Sequence, residues 1–225
     1  MGDGNMSVVM YNYLCSKLGN QNDVKTRRLC YTLTKYLEDY NVLIPSGSKA
    51  EGLDFTKSDI DIMWHLTCVH VYEHPPNNML IDCFVISTED TVPGFVRLIH
   101  EPHIIKFDFV REWCIEHDNN RRLLSNKLLK EALYGPCIAD TGGFLDNAFC
   151  LRCRSWIQQA YPWVKRNRTW PSPEMINDII KVGVMLVPIG CKGSQNEDIE
   201  WRVSFSIAEK QLIYSFSHTQ FLCYA

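Results

Sequence analysis

Two aspartates, Asp59 and Asp61, stand one residue apart in a segment that is otherwise apolar. Alternate residues of a β-strand point to the same face, so a strand here would project both carboxylates together, with Cα atoms roughly 7 Å apart. Burying two carboxylates on an apolar strand face is costly unless a cation lies between them. Mg²⁺ suits such a site, since it takes carboxylate oxygens together with substrate phosphates. An isolated Asp-x-Asp pair, however, usually lies on a solvated strand face.

Gly47 and Ser48 come before this pair and offer what a phosphate group needs. Glycine lets the backbone approach a ligand closely, and serine adds a hydroxyl and an N–H donor. A glycine-serine pair alone is weak evidence. The order of the segment is more informative: an apolar strand, the Gly-Ser pair, a short polar stretch, and then the two aspartates.

The surrounding sequence predicts the elements that would position these groups. Apolar residues recur at helical spacing through much of residues 6–40, whereas alternation and turn residues indicate strands elsewhere. The predicted helices cover residues 6–40, 109–133 and 174–181. The predicted strands lie within residues 42–70, 79–87, 93–98, 144–151 and 182–189.

Three polar groups in the chain have open interpretations. The basic residues of the first helix (Lys25, Arg27, Arg28 and Lys35) form either a solvated face or a surface for the backbone of a nucleic acid. The group His65, His70, Glu73 and His74 could bind a metal, although polar positions at a strand end are the simpler interpretation. The aromatic and basic residues 161–173 could stack bases or pack as a surface loop.

The ordered motif resembles the nucleotidyltransferase fold of the DNA polymerase beta type. Residues 47–53 (GSKAEGL), 58–63 (SDIDIM) and 201–210 (WRVSFSIAEK) are similar to the cyclic GMP-AMP synthase-like (male-abnormal, Mab) family, especially its invertebrate members. This resemblance covers nearly the whole chain. It implies an α+β fold: a polymerase-beta-like core with a twisted mixed sheet flanked by helices, followed by the start of a helical lobe.

The same resemblance implies a set of site residues. Asp59, Asp61 and Asp146 would be the catalytic and metal-binding carboxylates, holding two Mg²⁺ or Mn²⁺ ions. Asp140 and Asp108 are the weaker alternatives for the third carboxylate. The residues matched to nucleotide binding are Gly47, Ser48, Arg202, Ser204, Ser206 and Glu209.

The residues matched to nucleotide binding near position 205 also fit a purely structural role. Ser204 or Ser206 could cap the start of a helix, and Glu209 could complete a capping box after Ser206. Both roles are compatible with each other.

The resemblance also implies a domain organisation, and the chain departs from the family's pattern in several places. We expect a spine helix region over residues 1–40, the nucleotidyltransferase core over 41–200, and an incomplete C-terminal lobe over 201–225. The zinc insertion of the vertebrate enzymes does not follow the Glu209-Lys210 pair, so no structural zinc is expected. The chain ends inside an apolar helical pattern, which is the pattern of a truncated lobe.

Composition limits the compartment and the partners. A net charge of −3 gives no global attraction to nucleic acid, and no apolar run is long enough to span a membrane. The ten cysteines are scattered through apolar segments, a pattern typical of free thiols in a reducing compartment. We therefore expect a cytoplasmic protein with no membrane partner.

The function implied by the resemblance is synthesis of a cyclic dinucleotide second messenger from ATP and GTP, in innate immune sensing of nucleic acid. Double-stranded RNA is a candidate activator. Two alternatives stay open: a catalytically silent nucleotide-binding relative or scaffold, and a polymerase-beta-like enzyme with a linear product.

Overall fold

The computed structural model describes residues 3–37, 43–55, 58–74, 83–100, 108–117, 121–133 and 145–225. Within these ranges the chain forms nine α-helices and ten β-strands. The helices are α1 (Asp3–Leu18), α2 (Gln21–Leu37), α3 (Gly47–Glu51), α4 (Asp108–Glu112), α5 (Asn126–Ala132), α6 (Tyr161–Val164), α7 (Pro173–Val182), α8 (Ser206–Tyr214) and α9 (His218–Tyr224). The strands are β1 (Leu43–Ser46), β2 (Ile60–His65), β3 (His70–Tyr72), β4 (Cys83–Ser87), β5 (Phe95–His100), β6 (Cys114–His117), β7 (Arg121–Leu124), β8 (Leu145–Cys153), β9 (Val184–Val187) and β10 (Glu200–Ser204).

The ten strands form one mixed sheet, in which eight follow the order β1-β2-β8-β3-β4-β5-β10-β9. Strand β7 pairs with β5 outside this order, and β6 pairs with β7. Strand β2 runs parallel to the first part of β8, while the last residues of β8 pair antiparallel with β9. The long β8 strand therefore links two parts of the sheet. This arrangement of mixed strands with helices confirms the α+β fold class expected from the sequence.

Apolar side chains pack into clusters on both faces of the sheet. The larger cluster contains Trp201, Phe84 and Leu151, which are fully or almost fully buried. A smaller cluster lies on the other side and contains Met63, Cys150 and Met185. Because successive strand residues point to opposite faces, neighbours such as Cys150 and Leu151 belong to different clusters.

The helical region predicted over residues 6–40 is two helices, which separate at Gly19 and Asn20. The Asn20 side chain accepts hydrogen bonds from the backbone N–H groups of Asn22 and Asp23, and the Asp23 carboxylate accepts from the Asn20 N–H at 2.8 Å. This reciprocal pair is a capping box. The N-terminal cap of α2 therefore lies at Asn20.

The single helix predicted over residues 109–133 is wrong. Strands β6 and β7 form an antiparallel pair between α4 and α5, and β7 also pairs with β5. Leu123 and Leu124 are buried, and the Trp201 indole donates to the Leu124 carbonyl at 2.9 Å. Contacts with residues distant in sequence thus favour the extended conformation over the local helical pattern.

The other predicted elements agree with the structure in kind. Helix α7 confirms the helix predicted over residues 174–181, and β5, β8 and β9 confirm three of the strands. Strand β4 begins at Cys83, and residues 79–82 of its predicted range lie outside the described residues. The nine described cysteines are thiols that form no disulfide bond, as expected. None of the described helices is both long and apolar enough to span a membrane.

Candidate active site

Three carboxylates meet at the start of two neighbouring strands. Asp61 on β2 and Asp146 on β8 are direct partners in the parallel register, and Asp59 immediately precedes β2. One carboxylate oxygen from each of the three residues lies within 4.8 Å of the others. All three residues are half-buried. This spacing allows the three side chains to share a bound cation.

Gly47 lies directly against this cluster. It follows Ser46, which pairs with Asp61 across β1 and β2, and it begins α3 with φ +70°. A Cβ atom added to Gly47 would lie 1.8 Å from Oδ2 of Asp61, too close for any side chain. Position 47 therefore requires glycine for two reasons, its left-handed backbone and its contact with the carboxylate.

The electrostatics of the cluster favour a cation. Burial raises the pKa of Asp61, and the negative charges of Asp59 and Asp146 raise it further. No lysine, arginine or histidine of the described residues forms an ion pair with any of the three carboxylates. A divalent cation would offset both the burial and the mutual repulsion, and carboxylate oxygens are the ligands that Mg²⁺ prefers. The donor set therefore fits the metal.

Asp108, one of the two weaker candidates for the third carboxylate, does not join this cluster. It lies in the first turn of α4, and its carboxylate is not among the three that converge. Asp140 lies outside the described residues.

Two serine hydroxyls at the end of β10 connect to the carboxylate strand. The Oγ atoms of Ser204 and Ser206 are 2.6 Å apart, and the Ser206 hydroxyl donates to Sδ of Met63 at 3.7 Å. Met63 is two residues after Asp61 and so points to the same face of β2. The two hydroxyls thus lie beside the strand that carries Asp61.

The predicted helix cap at these serines is wrong. Phe205 is the N-cap of α8 and makes no side-chain cap bond, and Ser206 is already inside the helix. Glu209 is exposed and makes no capping-box bond. The serine hydroxyls bond to each other and to Met63, and the Ser204 hydroxyl also accepts a long hydrogen bond of 3.4 Å from the Ser206 N–H at the helix start, although neither serine is the N-cap.

The remaining predicted site residues lie around the cluster without contacting the carboxylates. Ser48 is half-buried in the first turn of α3. Arg202 is exposed on β10 and shares a strand face with Ser204. The charge of Glu209 helps to raise the pKa of Glu51, although burial of Glu51 is the larger cause. Glu209 is therefore near enough to Glu51 of α3 for the two negative charges to interact.

Sequence reasoning missed the residues that hold α3 and β1 in place. The Lys210 ammonium donates to the Pro45 carbonyl at 2.6 Å, and the Tyr214 hydroxyl donates to the Ala50 carbonyl at 2.6 Å. Both bonds tie α8 to the segment around Gly47. The Glu209-Lys210 pair was visible as a family motif, but no local pattern indicates which distant carbonyl a lysine will reach.

Arg28 is a second positioning residue that the sequence did not reveal. Its guanidinium donates to the carbonyls of Glu51 at 2.8 Å and Ile213 at 3.3 Å. It also lies over the rings of Tyr214 and Phe221, with Cζ 4.7 Å and 4.5 Å from their centroids. Arg28 therefore joins α2, α3, α8 and α9, and is not part of a solvated or nucleic-acid-binding face.

The aromatic and basic segment of residues 161–173 is partly packed. The Arg168 guanidinium lies 4.5 Å from the ring centroid of Trp163, and the ring centroids of Trp170 and Phe216 are 5.1 Å apart. Trp163 in turn packs against the larger apolar cluster. These contacts occupy the Trp163 ring within the protein, whereas Tyr161 and Trp170 remain exposed.

One comparison with known proteins bears on this site. Residues 145–215 match the family model described as the Mab-21 protein nucleotidyltransferase domain. The matched segment begins beside Asp146 and ends just beyond α8, so it contains one of the three carboxylates and both serines. The match confirms the resemblance to this family and supports a nucleotidyltransferase.

Proposed function

We propose that this Mab-21-type nucleotidyltransferase domain uses Asp59, Asp61 and Asp146 as its catalytic carboxylates and holds two Mg²⁺ or Mn²⁺ ions with them. The observation that carries the proposal is the convergence of the three carboxylates within 4.8 Å, with no cationic side chain paired to them among the described residues. Such a pair of bound ions supplies charge neutralisation at the triphosphate and lowers the pKa of the attacking hydroxyl.

The chain's own residues would orient the donor nucleotide. Gly47 offers a backbone surface without a side chain, and Ser46, the N-cap of α3, makes no side-chain cap bond to the helix start. The N–H groups there and the Ser48 hydroxyl are therefore suited to the phosphate oxygens. In the reaction the oxygen of an acceptor hydroxyl forms a bond to the α-phosphorus of the donor nucleotide and loses its proton. The bond between the α-phosphorus and the bridging oxygen breaks, and pyrophosphate leaves.

Arg202, Ser204, Ser206 and Glu209 would form the nucleotide-facing wall. Ser204 and Ser206 lie beside Met63 on the Asp61 strand, and Arg202 shares the strand face of Ser204. An exposed guanidinium offers a planar set of donors to phosphates or bases, and hydroxyls adapt to either. These roles rest on the family motif and on this placement.

The substrates, product and biological role follow from the family resemblance. We propose ATP and GTP as substrates, a cyclic dinucleotide second messenger as product, and innate immune sensing in the cytoplasm with a nucleic acid, such as double-stranded RNA, as activator. The division into a spine region (1–40), a core (41–200) and the start of a lobe (201–225) belongs to the same proposal.

The test is incubation of the protein with mixed nucleoside triphosphates, Mg²⁺ or Mn²⁺, and separate RNA and DNA duplexes, followed by mass spectrometry. The Asp59→Asn/Asp61→Asn variant should form no product while keeping its circular dichroism spectrum. The matched control is Asp178→Asn/Asp198→Asn, which alters two exposed carboxylates paired with lysines and should keep the activity.

Each other outcome selects a different function. Product formation by the Asp59→Asn/Asp61→Asn variant would contradict the metal-site assignment. A linear product would favour another polymerase-beta-like activity. Binding of nucleotides by calorimetry, with no turnover under any activator, would favour a catalytically silent relative.

A further inference from the structure

The strands that carry the carboxylates have a cluster of basic side chains, two arginines and two histidines, at their other end. His65 is four residues after Asp61 on β2, and Arg152 is six residues after Asp146 on β8. Even spacing keeps Asp61 and His65 on one face of β2, and Asp146 and Arg152 on one face of β8. At about 3.3 Å per residue, the Cα atoms of His65 and Arg152 lie roughly 13–20 Å along the strands from those of the aspartates. Met63 and Cys150 fill the space between the two ends.

These side chains line a small enclosed pocket. Its walls include His65, His70, Arg152 and Arg154, and the hydroxyl-bearing residues Thr67 and Tyr72. The pocket has a volume of about 40 Å³. A water molecule needs at least about 10–15 Å³ measured in this way, so the pocket has room for about three waters or for one compact oxyanion.

The pocket retains unused hydrogen-bond donors. Arg152 directs Nε and Nη2 to the Val182 carbonyl, at 3.2 and 2.9 Å. Val182 is the last residue of α7. A guanidinium carries five N–H donors, so the bonds to the Val182 carbonyl leave several N–H groups of Arg152 for another acceptor. Among the described residues, Arg154 and His70 have no hydrogen-bond partner, and Arg154 is exposed at the pocket mouth.

No negative charge balances this cluster within the described part of the chain. No carboxylate lines the pocket, and neither arginine takes part in an ion pair. His65 is only 8 % exposed. Burial, followed by the charges of Arg152, Arg154 and His70, lowers the pKa of His65 to about 4. The pocket therefore concentrates positive potential around a buried imidazole.

We propose that this pocket is an anion site that binds the phosphate group of a small ligand, distinct from the carboxylate cluster. Two guanidinium groups present the donor geometry that phosphate oxygens accept, and the hydroxyls of Thr67 and Tyr72 can complete the set. The pocket volume suits a single tetrahedral oxyanion. A duplex backbone would instead contact a broad surface with many cations, which the net charge of −3 does not favour.

The site does not depend on the proposed enzymatic function, because its residues touch no carboxylate of the cluster. Phosphate binding can therefore be measured with EDTA present, where a metal-dependent nucleotide site contributes nothing. Failure of phosphate binding and failure of nucleotide transfer are then separate results.

The test is a titration with inorganic phosphate, and separately with pyrophosphate, at constant ionic strength maintained with chloride. Calorimetry gives the dissociation constant, and NMR of the imidazole signals gives the pKa values of His65 and His70. We expect saturable binding together with an upward shift of the His65 pKa, because a bound anion offsets the neighbouring positive charges.

Two variants and one control locate the site. Arg154→Gln and His70→Gln should each weaken phosphate binding at least about tenfold, whereas Arg121→Gln, an exposed arginine on β7, should bind as the wild type does. Arg154 is exposed, so its replacement should not unfold the protein. No saturable binding, or binding unchanged in both variants, would overturn the proposal. Binding of a short RNA duplex that requires Arg154, without binding of either free anion, would overturn it in favour of a nucleic-acid contact.

Discussion

Asp61 and Asp146 are direct neighbours in register on two parallel strands, with half-buried carboxylates that share one space with Asp59. The adjacency of the two strands, rather than any local sequence pattern, creates this concentration of negative charge. A cluster of this kind destabilises the folded chain unless a cation is bound, because burial and mutual repulsion both disfavour the ionised forms.

The first prediction concerns Asp61→Asn. Without divalent ions, the variant should be more stable than the wild type at pH 7 by a few tenths to about 1 kcal/mol, since it removes a half-buried charge that solvent partly screens. With Mg²⁺ at about 100 times its dissociation constant, the wild type should gain about 2.7 kcal/mol and the variant far less. Thermal unfolding with EDTA and with Mg²⁺ measures both effects.

The control for this prediction is Asp178→Asn, an exposed carboxylate on α7 paired with Lys181. Its response to Mg²⁺ should equal that of the wild type. Equal stabilisation of Asp61→Asn and the wild type by Mg²⁺ would argue against a metal site at the carboxylates.

The second prediction compares Gly47→Ala with Gly193→Ala. Both glycines have positive φ, +70° and +82°, so each substitution should cost about 1 kcal/mol in backbone strain. Only an added Cβ at position 47 meets Asp61, because nothing lies within 4 Å of one at position 193. Gly47→Ala should therefore also lose Mg²⁺-dependent stabilisation and nucleotide transfer, whereas Gly193→Ala keeps both. If Gly47→Ala still bound the metal, the prediction would be contradicted, because Asp61 could then move aside without loss of the ion.

The third prediction concerns Arg28→Ala. The substitution removes two hydrogen bonds to carbonyls and two contacts with aromatic rings, so the free energy of unfolding should fall by about 2–3 kcal/mol. Lys25→Ala, at an exposed position on the same helix, should change it by less than about 0.5 kcal/mol. Urea denaturation measures both values. A similar small loss in both variants would mean that Arg28 does not join the four helices energetically.

The fourth prediction concerns acid stability. The pKa of His65 is about 4 in the folded protein, compared with its ordinary value of 6.5. The unfolded chain therefore binds more protons between these values, so stability is lost as the pH falls from about 6.5 towards 4. The loss assigned to His65 should be on the order of 1 kcal/mol once solvent screening is allowed for. His65→Gln should flatten this part of the stability profile, whereas His117→Gln, at an exposed position, should not.

Parts of the fold and site were predictable from the sequence because they depend on short spacing. The separation of Asp59 and Asp61, and the strand that carries Asp61, follow from alternation along one segment. The strands at residues 95–100 and 145–153 and the helix at residues 173–182 follow from equally local patterns. The α+β class and the place of Asp146 came from resemblance to a family, since no spacing rule links residues so far apart.

The tertiary structure decided what non-local contacts control. Residues 114–117 and 121–124 form paired antiparallel strands rather than a helix because β5 offers a pairing edge that the local sequence does not reveal. Arg28 became a half-buried link between helices, and His65 joined Arg152 at the end of two strands, for the same reason. The sequence determined which side chains can carry charge and donate hydrogen bonds, and strand adjacency decided which charges meet, because electrostatic interactions depend on distance in space and on burial.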